Sequence, residues 1–417
     1  MFFLGVTGQT NEQEYLSLNQ FNVDTGKLMN FQFLPEEFYS NQLFLFGETH
    51  GSSIPHQADV ALFKQLYRKA KVRHYIAEVD PIKAWMLNNY LKDGDEQWLR
   101  NVFKSWQEEA AQWASRSNWQ KYQQLREFYQ TVPRKQKFEI VGVDLIQDYS
   151  LVQYYVKELF GSKQTGIELV DKFVSVSDTI KFEHRRILGE LARNILSEFE
   201  TSQVYRKKLG RKSTDFRIFI QNAGYVGKGI YRDSGMFKTF SDIITLKHLT
   251  NAKFYGFLGF YHTLQVRYEG RFPFAASIKK NGLVRDQVSL QMMAIDSKVL
   301  LPYTQEVKKM MPASFVAQLR KQSPEFPFTE RYVPYELSNY KPMMKVNGIE
   351  WLKALTNPNS VTLFKINSPG SPFRTNKSLG EVSGFQTLKM TDPQSVTTDA
   401  FQYIIFFRNS PAAFPLE

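Results

Sequence analysis

Short apolar runs alternate with helix-type patterns along much of the chain. Residues 42–46 form a largely apolar run that stops at Gly47, which is typical of a strand buried on both faces of a parallel sheet. Similar runs predict strands at 74–79, 138–143, 253–259, 361–366 and 403–407. After the first run, apolar residues recur at three- and four-residue spacing, which predicts an amphipathic helix. These residues are Ala58, Ala61, Leu62, Leu66 and Tyr67.

Two long intervals between the runs, at about 81–135 and 150–249, have helical patterns. The first is rich in tryptophan, and we expect it to cap a sheet or to form the wall of a cleft. Residues 270–360 carry prolines that break up long elements, and they give no clear pattern. Strands that alternate with helices indicate a layered α/β/α fold with a mostly parallel central sheet and large helical insertions. We expect residues 36–417 to form one such domain, preceded by an N-terminal segment at 1–35.

Composition excludes several classes of protein and site. With 42% hydrophobic and 23% charged residues, the chain has the balance of a globular protein. The absence of cysteine excludes disulfides, thiolate metal sites and cysteine nucleophiles. No apolar run approaches the roughly 18 residues of a membrane-spanning helix, so we expect no integral membrane segment. For residues 1–9 we favour the remnant of a secretion signal, and therefore an extracytoplasmic location, over an apolar start that docks on the domain.

The net charge of +12 raises the question of an anionic partner. The densest basic stretch, 206–217, has two interpretations: a patch that binds an anion or a membrane surface, and a solvated helix end with its turn. We favour the solvated helix end, because aromatic residues do not interleave with the charges as a base-stacking surface requires. We therefore expect a small-molecule or peptide substrate and no nucleic acid; the sequence leaves the oligomeric state open.

Ionisable side chains follow four consecutive predicted strands. The first strand is followed by Glu48 and His50, the second by Glu78, the third by Asp144 and the fourth by His262. In open α/β sheets, ligands bind outside the carboxyl ends of the strands. If these strands are parallel neighbours, the five side chains meet in one crevice.

Glu48 and His50 carry the sharpest chemical hypothesis. In extended chain, residues two apart face the same side, so the carboxylate lies beside the imidazole. Such a carboxylate fixes the tautomer of the ring and raises its basicity, which suits a general base that activates water. The alternative is an ion pair that only ties down a loop. Gly47 and Gly51 on either side allow a tight turn and the close approach of a ligand.

Arg232 and His56 are candidates with an alternative structural role. Arg232 shares one helix face with Met236 and Phe240, so it is either an anion and oxyanion clamp or one half of a structural pair. His56 opens the first predicted helix, where it could reach the same crevice or be an ordinary polar residue near a helix start. The sequence contains no motif of zinc proteases, phosphate-binding loops, dinucleotide-binding folds or serine hydrolases. The absence of these motifs does not exclude Ser52 or Ser53 as a nucleophile.

Five short motifs follow one another in the order of a known family. Residues 45–51 (LFGETHG) match a strand followed by GE-x-H-G, and Glu78 matches the acidic end of the next strand. Residues 141–147 (VGVDLIQ) match a GxD strand end with one extra residue before the glutamine, 231–236 (YRDSGM) match an RDxxM helix, and 259–262 (GFYH) match a strand ending in histidine. Together they resemble the erythromycin esterase-like superfamily over roughly residues 40–265, with a weaker similarity at 401–406.

The resemblance implies a hydrolase of ester, lactone or amide bonds that requires no cofactor. His50 would act as general base on water and Glu48 would orient it, while Arg232 and His262 would stabilise the developing oxyanion. Glu78 would orient the cationic groups. The chain departs from the esterases at Thr263 and Gln265, where they usually carry Asn and a second His, and at Asp59, where they often carry Arg. These departures leave the substrate open.

The same resemblance implies two alternatives, because the superfamily also includes ChaN-like haem-uptake proteins and Tiki/TraB-type proteins. Residues 47–50 and 259–262 both fit the G-x-x-H form of the Tiki/TraB type. In that case His50 and His262, with a carboxylate, would bind a divalent metal and the protein would be a peptidase. The other alternative is a non-catalytic protein that binds haem or another small ligand. In the hydrolase, His56 and Asp144 are expected to contact the substrate, and Asp144 also to orient the cations.

Overall fold

A computed structural model of the chain describes residues 11–23, 29–109, 111–162, 164–179, 185–226, 229–327, 331–337, 345–384 and 387–416. The proposed signal remnant at 1–9 lies outside these ranges. The helices are α1 (Asn11–Leu18), α2 (Pro55–Lys69), α3 (Pro81–Asp93), α4 (Glu96–Glu108), α5 (Arg116–Thr131), α6 (Val152–Phe160), α7 (Glu168–Ser177), α8 (Arg185–Thr201), α9 (Gln203–Leu209), α10 (Ser213–Tyr225), α11 (Arg232–Leu246), α12 (Phe274–Asn281), α13 (Gln305–Met310), α14 (Ala313–Gln322), α15 (Ile349–Ala354) and α16 (Thr397–Ala400). The strands are β1 (Gln20–Asn22), β2 (Leu43–Glu48), β3 (His74–Ala77), β4 (Glu139–Gly142), β5 (Phe254–Gly259), β6 (Gln287–Ile295), β7 (Ser297–Pro302), β8 (Tyr332–Leu337), β9 (Lys345–Val346), β10 (Val361–Lys365), β11 (Val382–Ser383) and β12 (Tyr403–Arg408).

The centre of the molecule is an eight-stranded sheet in the order β1-β10-β12-β6-β2-β5-β3-β4. From β12 to β4 every neighbouring pair is parallel, whereas β10 runs antiparallel to both β1 and β12. The predicted layered α/β fold with a mostly parallel sheet is therefore confirmed. Helices α3 to α5 lie in the chain between β3 and β4, and α6 to α11 lie between β4 and β5, where the sequence predicts the helical insertions.

Strand β2 shows why its sequence is an unbroken apolar run. Phe44 and Phe46 pack in the same hydrophobic cluster as Phe63 of α2, on one face of the sheet. Leu43 and Leu45 pack on the other face with residues of α11. Because helices cover both faces, every position of the strand is buried.

The sequence patterns miss the central strand β6 and the small sheet of β7 with β8. Strand β6 lies between β12 and β2, but it carries Ser289 and Gln291 among its apolar residues. Both side chains are buried and hydrogen-bonded: Ser289 donates to the Thr263 carbonyl and Gln291 to the Phe260 carbonyl. Their partners come from a distant part of the chain, so the local pattern does not show a buried strand. Strand β1, which falls in the expected N-terminal segment, forms one edge of the main sheet; the division into domains stays a prediction.

Candidate active site

The four strands with ionisable ends are adjacent in the sheet, in the order β2-β5-β3-β4. Their register places Glu48 beside Gly259, and Ala77 beside both Phe257 and Gly142. The side chains that follow these strands therefore come together at one edge of the sheet. The four strands are therefore parallel neighbours, which is the arrangement that a common crevice requires.

Glu48 and His50 are in direct contact. His50 Nδ1 lies 3.0 Å from Glu48 Oε1, so the carboxylate accepts the Nδ1 proton and leaves Nε2 as the basic nitrogen. Burial raises the pKa of Glu48, but its hydrogen bond with His50 and the charges around it outweigh burial and lower the pKa. Burial alone would lower the pKa of His50, but the hydrogen bond to Glu48 and the charge of Glu78 raise it. The His50 side chain is 23% exposed, whereas that of Glu48 is only 5% exposed.

Gly47 and Gly259 make room for this pair. A Cβ on Gly47 would lie 2.0 Å from the side-chain oxygen of Gln291, and one on Gly259 would lie 2.7 Å from His50 Nε2. A side chain at either position would therefore displace its neighbours. At Gly47 the space is taken by the protein's own side chains, and the close approach of a ligand expected from the sequence stays a prediction.

Glu78 is the hub of the site. Its Oε2 accepts a hydrogen bond of 2.6 Å from the backbone N–H of Gly259. Its Oε1 lies 2.7 Å from Arg232 Nη2, 3.4 Å from His262 Nε2 and 3.9 Å from His50 Nε2. Burial raises the pKa of Glu78, but the positive charges of His262 and Arg232 outweigh it and hold the pKa well below its usual range. Glu78 is therefore an anion surrounded by cations.

Arg232 is held by two carboxylates. Its Nε and Nη2 bond to Asp144 at 2.9 and 2.6 Å in a bidentate arrangement, and Nη2 also bonds to Glu78. Its Nη1 lies 3.5 Å from His262 Nε2. Burial lowers the pKa of Arg232, but Asp144 and Glu78 raise it more, so the guanidinium stays charged. Met236 is fully buried one turn further along α11, as the shared helix face predicts.

His262 is fixed by Asp233, a residue to which the sequence analysis gave no role. His262 Nδ1 lies 2.7 Å from Asp233 Oδ1, which also accepts a hydrogen bond from the backbone N–H of Phe274. Burial lowers the pKa of His262, but the charge of Glu78 and the hydrogen bond to Asp233 raise it to about 10. The ring is therefore a cation at neutral pH. The one sequence signal for Asp233 was its place beside Arg232 in the RDxxM motif.

A small pocket with a volume of about 20 Å³ opens beside Glu78 and Asp144. Trp106, Trp113 and Glu109 from the tryptophan-rich insertion line it. The Trp113 ring also meets the His50 ring edge-on at 5.1 Å between centroids. The insertion thus contributes a wall to the site, one of the two roles that the sequence suggests for it.

The loop that carries His50 is held by hydrogen bonds to later parts of the chain. The Gly51 carbonyl accepts hydrogen bonds from the backbone N–H groups of Leu300 and Ala413, at 2.7 and 2.8 Å. The hydroxyls of Ser52 and Ser410 lie 2.6 Å apart. These contacts hold the loop against β7 and the C-terminal segment, so the position of His50 does not depend on its own loop alone.

Comparisons with known proteins establish the fold. Neither protein-family models nor curated protein sequences gave a match. Among solved structures, a Bacillus cereus protein aligns with 98% of this chain and 100% of its own at a TM-score of 0.65 and 14% identity. A succinoglycan biosynthesis protein aligns with 99% of this chain and 100% of its own at a TM-score of 0.66 and 12% identity. A variant of the erythromycin esterase EreC in its open conformation aligns with 95% of this chain and 99% of its own at a TM-score of 0.63 and 11% identity. The chain has the erythromycin esterase-like fold. At these identities the likeness concerns the fold alone.

Within this esterase-like fold, His56 lies on the far side of Glu48 from His50. Its Nε2 is 4.0 Å from Glu48 Oε2, its Nδ1 is 2.9 Å from the Ser117 hydroxyl, and its side chain is 5% exposed. Burial lowers its pKa to about 3, so the ring is neutral. Asp144 is also buried and is engaged by Arg232. The substrate contacts expected of His56 and Asp144 stay predictions.

The charged side chains around Glu78 do not match a metal centre. Across the described ranges no group of three or more histidine and carboxylate side chains is arranged to hold a metal ion. The oxygen of Glu78 that would join His50 and His262 as a ligand already binds the Arg232 guanidinium. A divalent ion there would meet that fixed positive charge at close range. The donor set in this arrangement therefore does not fit a divalent metal.

Two further expectations concern the surface. Within the described part of the chain, no helix has both the length and the apolar character needed to cross a membrane. The basic stretch 206–217 is partly tied to its own chain, since Lys208 donates to the Thr165 carbonyl and Arg217 pairs with Glu200 at 2.8 Å. Whether this stretch binds a partner stays open.

Proposed function

We propose that the protein is a hydrolase that uses His50 to activate water against an ester, lactone or amide bond. The observation that carries the proposal is the arrangement of the His50 ring. One ring nitrogen is hydrogen-bonded to the buried carboxylate of Glu48, the other lies 3.9 Å from Glu78, and the side chain as a whole is 23% exposed. In its neutral form a ring held in this way has a defined tautomer with Nε2 unprotonated, which a general base requires. Because Glu48 and Glu78 raise the pKa of the ring, this form grows as the pH rises.

The proposed reaction begins with His50 Nε2 removing a proton from water as the water oxygen attacks the carbonyl carbon. The negative charge that develops on the carbonyl oxygen is met by Arg232 and His262. When the tetrahedral intermediate collapses, the alcohol or amine leaves with the proton returned from His50. The products are an acid and the leaving group, and no cofactor takes part.

The two cations are suited to this role because carboxylates hold them in place before the reaction. Glu78 and Asp144 fix Arg232, while Glu78 and Asp233 fix His262, and the two cationic groups approach to 3.5 Å. Donors that are oriented in advance stabilise a developing oxyanion without reorganisation, and the loss of one such donor typically costs about a hundredfold to a thousandfold in rate.

The experiment is the His50→Ala variant, with His74→Ala as the matched control at the other end of the sheet. Turnover is measured on p-nitrophenyl esters, simple lactones, a macrolide lactone and an acyl anilide. We expect the His50 variant to lose about a hundredfold to ten-thousandfold in kcat with an unchanged circular dichroism spectrum, because a general base contributes this much. A folded His50→Ala protein with full turnover, or a wild-type protein inactive on every class, would contradict the proposal.

The two alternatives from the sequence stay predictions with separate tests. For the metal-dependent peptidase, the test is metal analysis of protein purified without chelator or nickel, together with peptide hydrolysis before and after chelator. For the haem-binding protein, it is a haem titration followed at the Soret band. Bound metal with chelator-sensitive hydrolysis, or a saturable Soret change, would replace the water-activating His50 as the leading hypothesis.

A further inference from the structure

Strand β6 passes beside both turns that carry the histidines of the site, and the proposed reaction gives it no role. It lies next to β2 in the sheet, with Gln291 opposite Gly47. Gln291 and Met292 are both buried, and because neighbours in a strand point to opposite faces, their side chains lie on the two sides of the sheet. A buried amide needs hydrogen-bond partners, since a buried polar group without them is costly. The partners of these two side chains are the turns that carry His50 and His262.

Met292 contacts the turn that carries His50. The backbone N–H of Thr49, the first residue after β2, donates a hydrogen bond of 3.2 Å to the Met292 sulfur. Thr49 lies between Glu48 and His50 in the chain, so this bond fixes the peptide that joins the carboxylate to the ring. The Met292 side chain also packs in the hydrophobic cluster that contains Phe46. Its thioether therefore brings a hydrogen-bond acceptor into an apolar cluster, which a leucine of similar size would not do.

Gln291 contacts the turn that carries His262. Its Nε2 donates to the Phe260 carbonyl at 2.8 Å, and its Oε1 lies 3.1 Å from the Thr263 hydroxyl, which can donate to it. His262 lies between Phe260 and Thr263 in a short 3₁₀ turn, so one amide bonds to both ends of that turn. Gly47 leaves room for this reach, because a Cβ there would overlap both the Gln291 amide oxygen and the Thr263 hydroxyl.

We propose that Gln291 and Met292 are positioning residues that hold the turns of His262 and His50 in a fixed relation to each other, from the two faces of β6. The fixed relation aligns the general base with the oxyanion donor, which is the geometry that catalysis requires. The inference rests on the proposed function for its effect on turnover, whereas its effect on the two rings needs no substrate. If the two side chains only stabilised the sheet, their substitution would lower stability and leave both rings unchanged.

The readout is proton NMR of the two histidine rings in substrate-free protein. The Nδ1 nitrogen of His50 is hydrogen-bonded to Glu48. The Nδ1 nitrogen of His262 is hydrogen-bonded to Asp233. Each ring therefore gives an N–H signal that reports on its own hydrogen bond, and the signals are assigned with His50→Ala and His262→Gln. Because each turn has its own contact with β6, the two signals should respond to different substitutions.

Met292→Leu tests the turn of His50, with Met293→Leu as its matched control. Leucine conserves the volume of methionine, so both variants should fold, but only the first loses the acceptor of the Thr49 N–H. We expect Met292→Leu to shift the His50 signal and to leave the His262 signal in place. It should also lower kcat by about tenfold to a hundredfold with an unchanged KM, the cost of a misplacement near 1 Å. Met293 is buried in a different hydrophobic cluster, and its substitution should change none of these quantities.

Gln291→Met tests the turn of His262, with Gln287→Met as its control on the same strand. Methionine is close to glutamine in length but cannot donate to a carbonyl. Gln287 also donates to a backbone carbonyl, that of Ala275, at 3.0 Å, so its substitution removes a comparable bond away from the site. We expect Gln291→Met to shift the His262 signal alone and to lower kcat by about tenfold to a hundredfold. Gln287→Met should do neither.

The outcomes distinguish this inference from the proposed function. Selective shifts of the two ring signals support it even if the wild-type protein hydrolyses nothing, in which case the proposed function alone fails. Unchanged ring signals in Met292→Leu and Gln291→Met overturn it, and so do equal shifts of both signals, which a general loosening of β6 would cause. If Gln291→Met does not fold, Thr263→Val removes the hydroxyl from the same turn and should shift the same signal. Met292→Ile, which also lacks the acceptor, replaces Met292→Leu in the same way.

Discussion

Two clusters of the same residue types occupy opposite ends of the same elements. At the carboxyl ends of β3 and β4, Glu78 and Asp144 pair with Arg232, the first residue of α11. At the amino ends of these strands, His74 pairs with Glu139 at 3.1 Å, and Lys247, just past the last residue of α11, lies 3.6 Å from the same carboxylate. Each cluster thus joins histidine, carboxylate and one cation from an end of α11 or the residue that follows it.

Burial of the carboxylates separates the two clusters. The side chains of Glu78 and Asp144 are 5 and 6% exposed, whereas that of Glu139 is 37% exposed; the two cations differ little, at 34% for Arg232 and 31% for Lys247. A buried network holds its charges in fixed positions and keeps water from screening them, while exposed pairs contribute little. The difference teaches that residue type and sheet position do not define a site by themselves. The site is the end where the carboxylates are desolvated and the His50 side chain is left 23% exposed.

The largest expected effect comes from removing the hub carboxylate. We expect Glu78→Gln to lower the free energy of unfolding by about 3 to 5 kcal/mol, because it leaves the buried cation of His262 and the partly buried guanidinium of Arg232 with fewer partners. We also expect turnover to fall by a thousandfold or more, since both oxyanion donors lose their anchor. Glu139→Gln should cost about 1 kcal/mol or less and leave turnover unchanged. Urea unfolding and steady-state kinetics of both variants check this, and equal losses would remove the distinction between the clusters.

The pH dependence of stability provides the next test. The pKa of His262 is about 10 in the folded protein, above the ordinary value of roughly 6.5 in an unfolded chain. Protonated His262 therefore stabilises the fold fully below about pH 6.5, and this contribution is lost as the pH rises through 10. The stability advantage of wild-type protein over His262→Gln should shrink across this window by an amount on the order of 4 kcal/mol.

Urea unfolding at half-unit steps from pH 6 to 10 measures this difference. The subtraction of the variant removes the contribution of other groups that titrate near pH 10. His74→Gln, from the exposed cluster, should change stability by about 1 kcal/mol or less at neutral pH. A difference between wild type and His262→Gln that stays constant with pH would mean that His262 is not held as a cation.

Much of this architecture is visible in the sequence because its signals are local. The apolar run before Gly47 marks a buried strand, the residue after it marks an edge of the sheet, and Pro81 marks a helix start, at which Asp80 accepts two backbone N–H bonds. The order β2-β5-β3-β4 is different, since β5 enters between β2 and β3 only after the helical insertions have been crossed. No local sequence pattern shows that β5 lies between β2 and β3 in the sheet.

The side chains missed by sequence analysis have distant partners. Asp233 acquires its role from His262, which lies 29 residues away in the chain. Lys121 of α5 acquires its partner from Asp59 of α2, 3.6 Å away, and its helix position gives no sign of this. Such residues become recognisable only when packing removes water around them, because desolvation makes the identity of each partner decisive.

The smallest expected effect comes from comparing alanine substitutions at two glycines of one strand, β5. A Cβ at Gly259, at the site end of β5, would lie 2.7 Å from His50 Nε2 and 3.3 Å from Glu78 Oε2. A Cβ at Gly256, three residues earlier, would lie 2.9 Å from the flexible end of Leu45. Gly259→Ala should therefore displace the His50 ring and lower kcat by about tenfold to a hundredfold, the cost of a misplacement near 1 Å.

Gly256→Ala should instead leave kcat unchanged and alter the free energy of unfolding by about 1 to 2 kcal/mol, since only an apolar side chain must move. Both variants are measured by steady-state kinetics and by urea unfolding. Gly259→Ala should change turnover, whereas Gly256→Ala should change stability. Because both substitutions add the same methyl group to the same strand, a general loosening of β5 would lower turnover in both. Loss of turnover in Gly259→Ala alone ties the effect to the contact with His50.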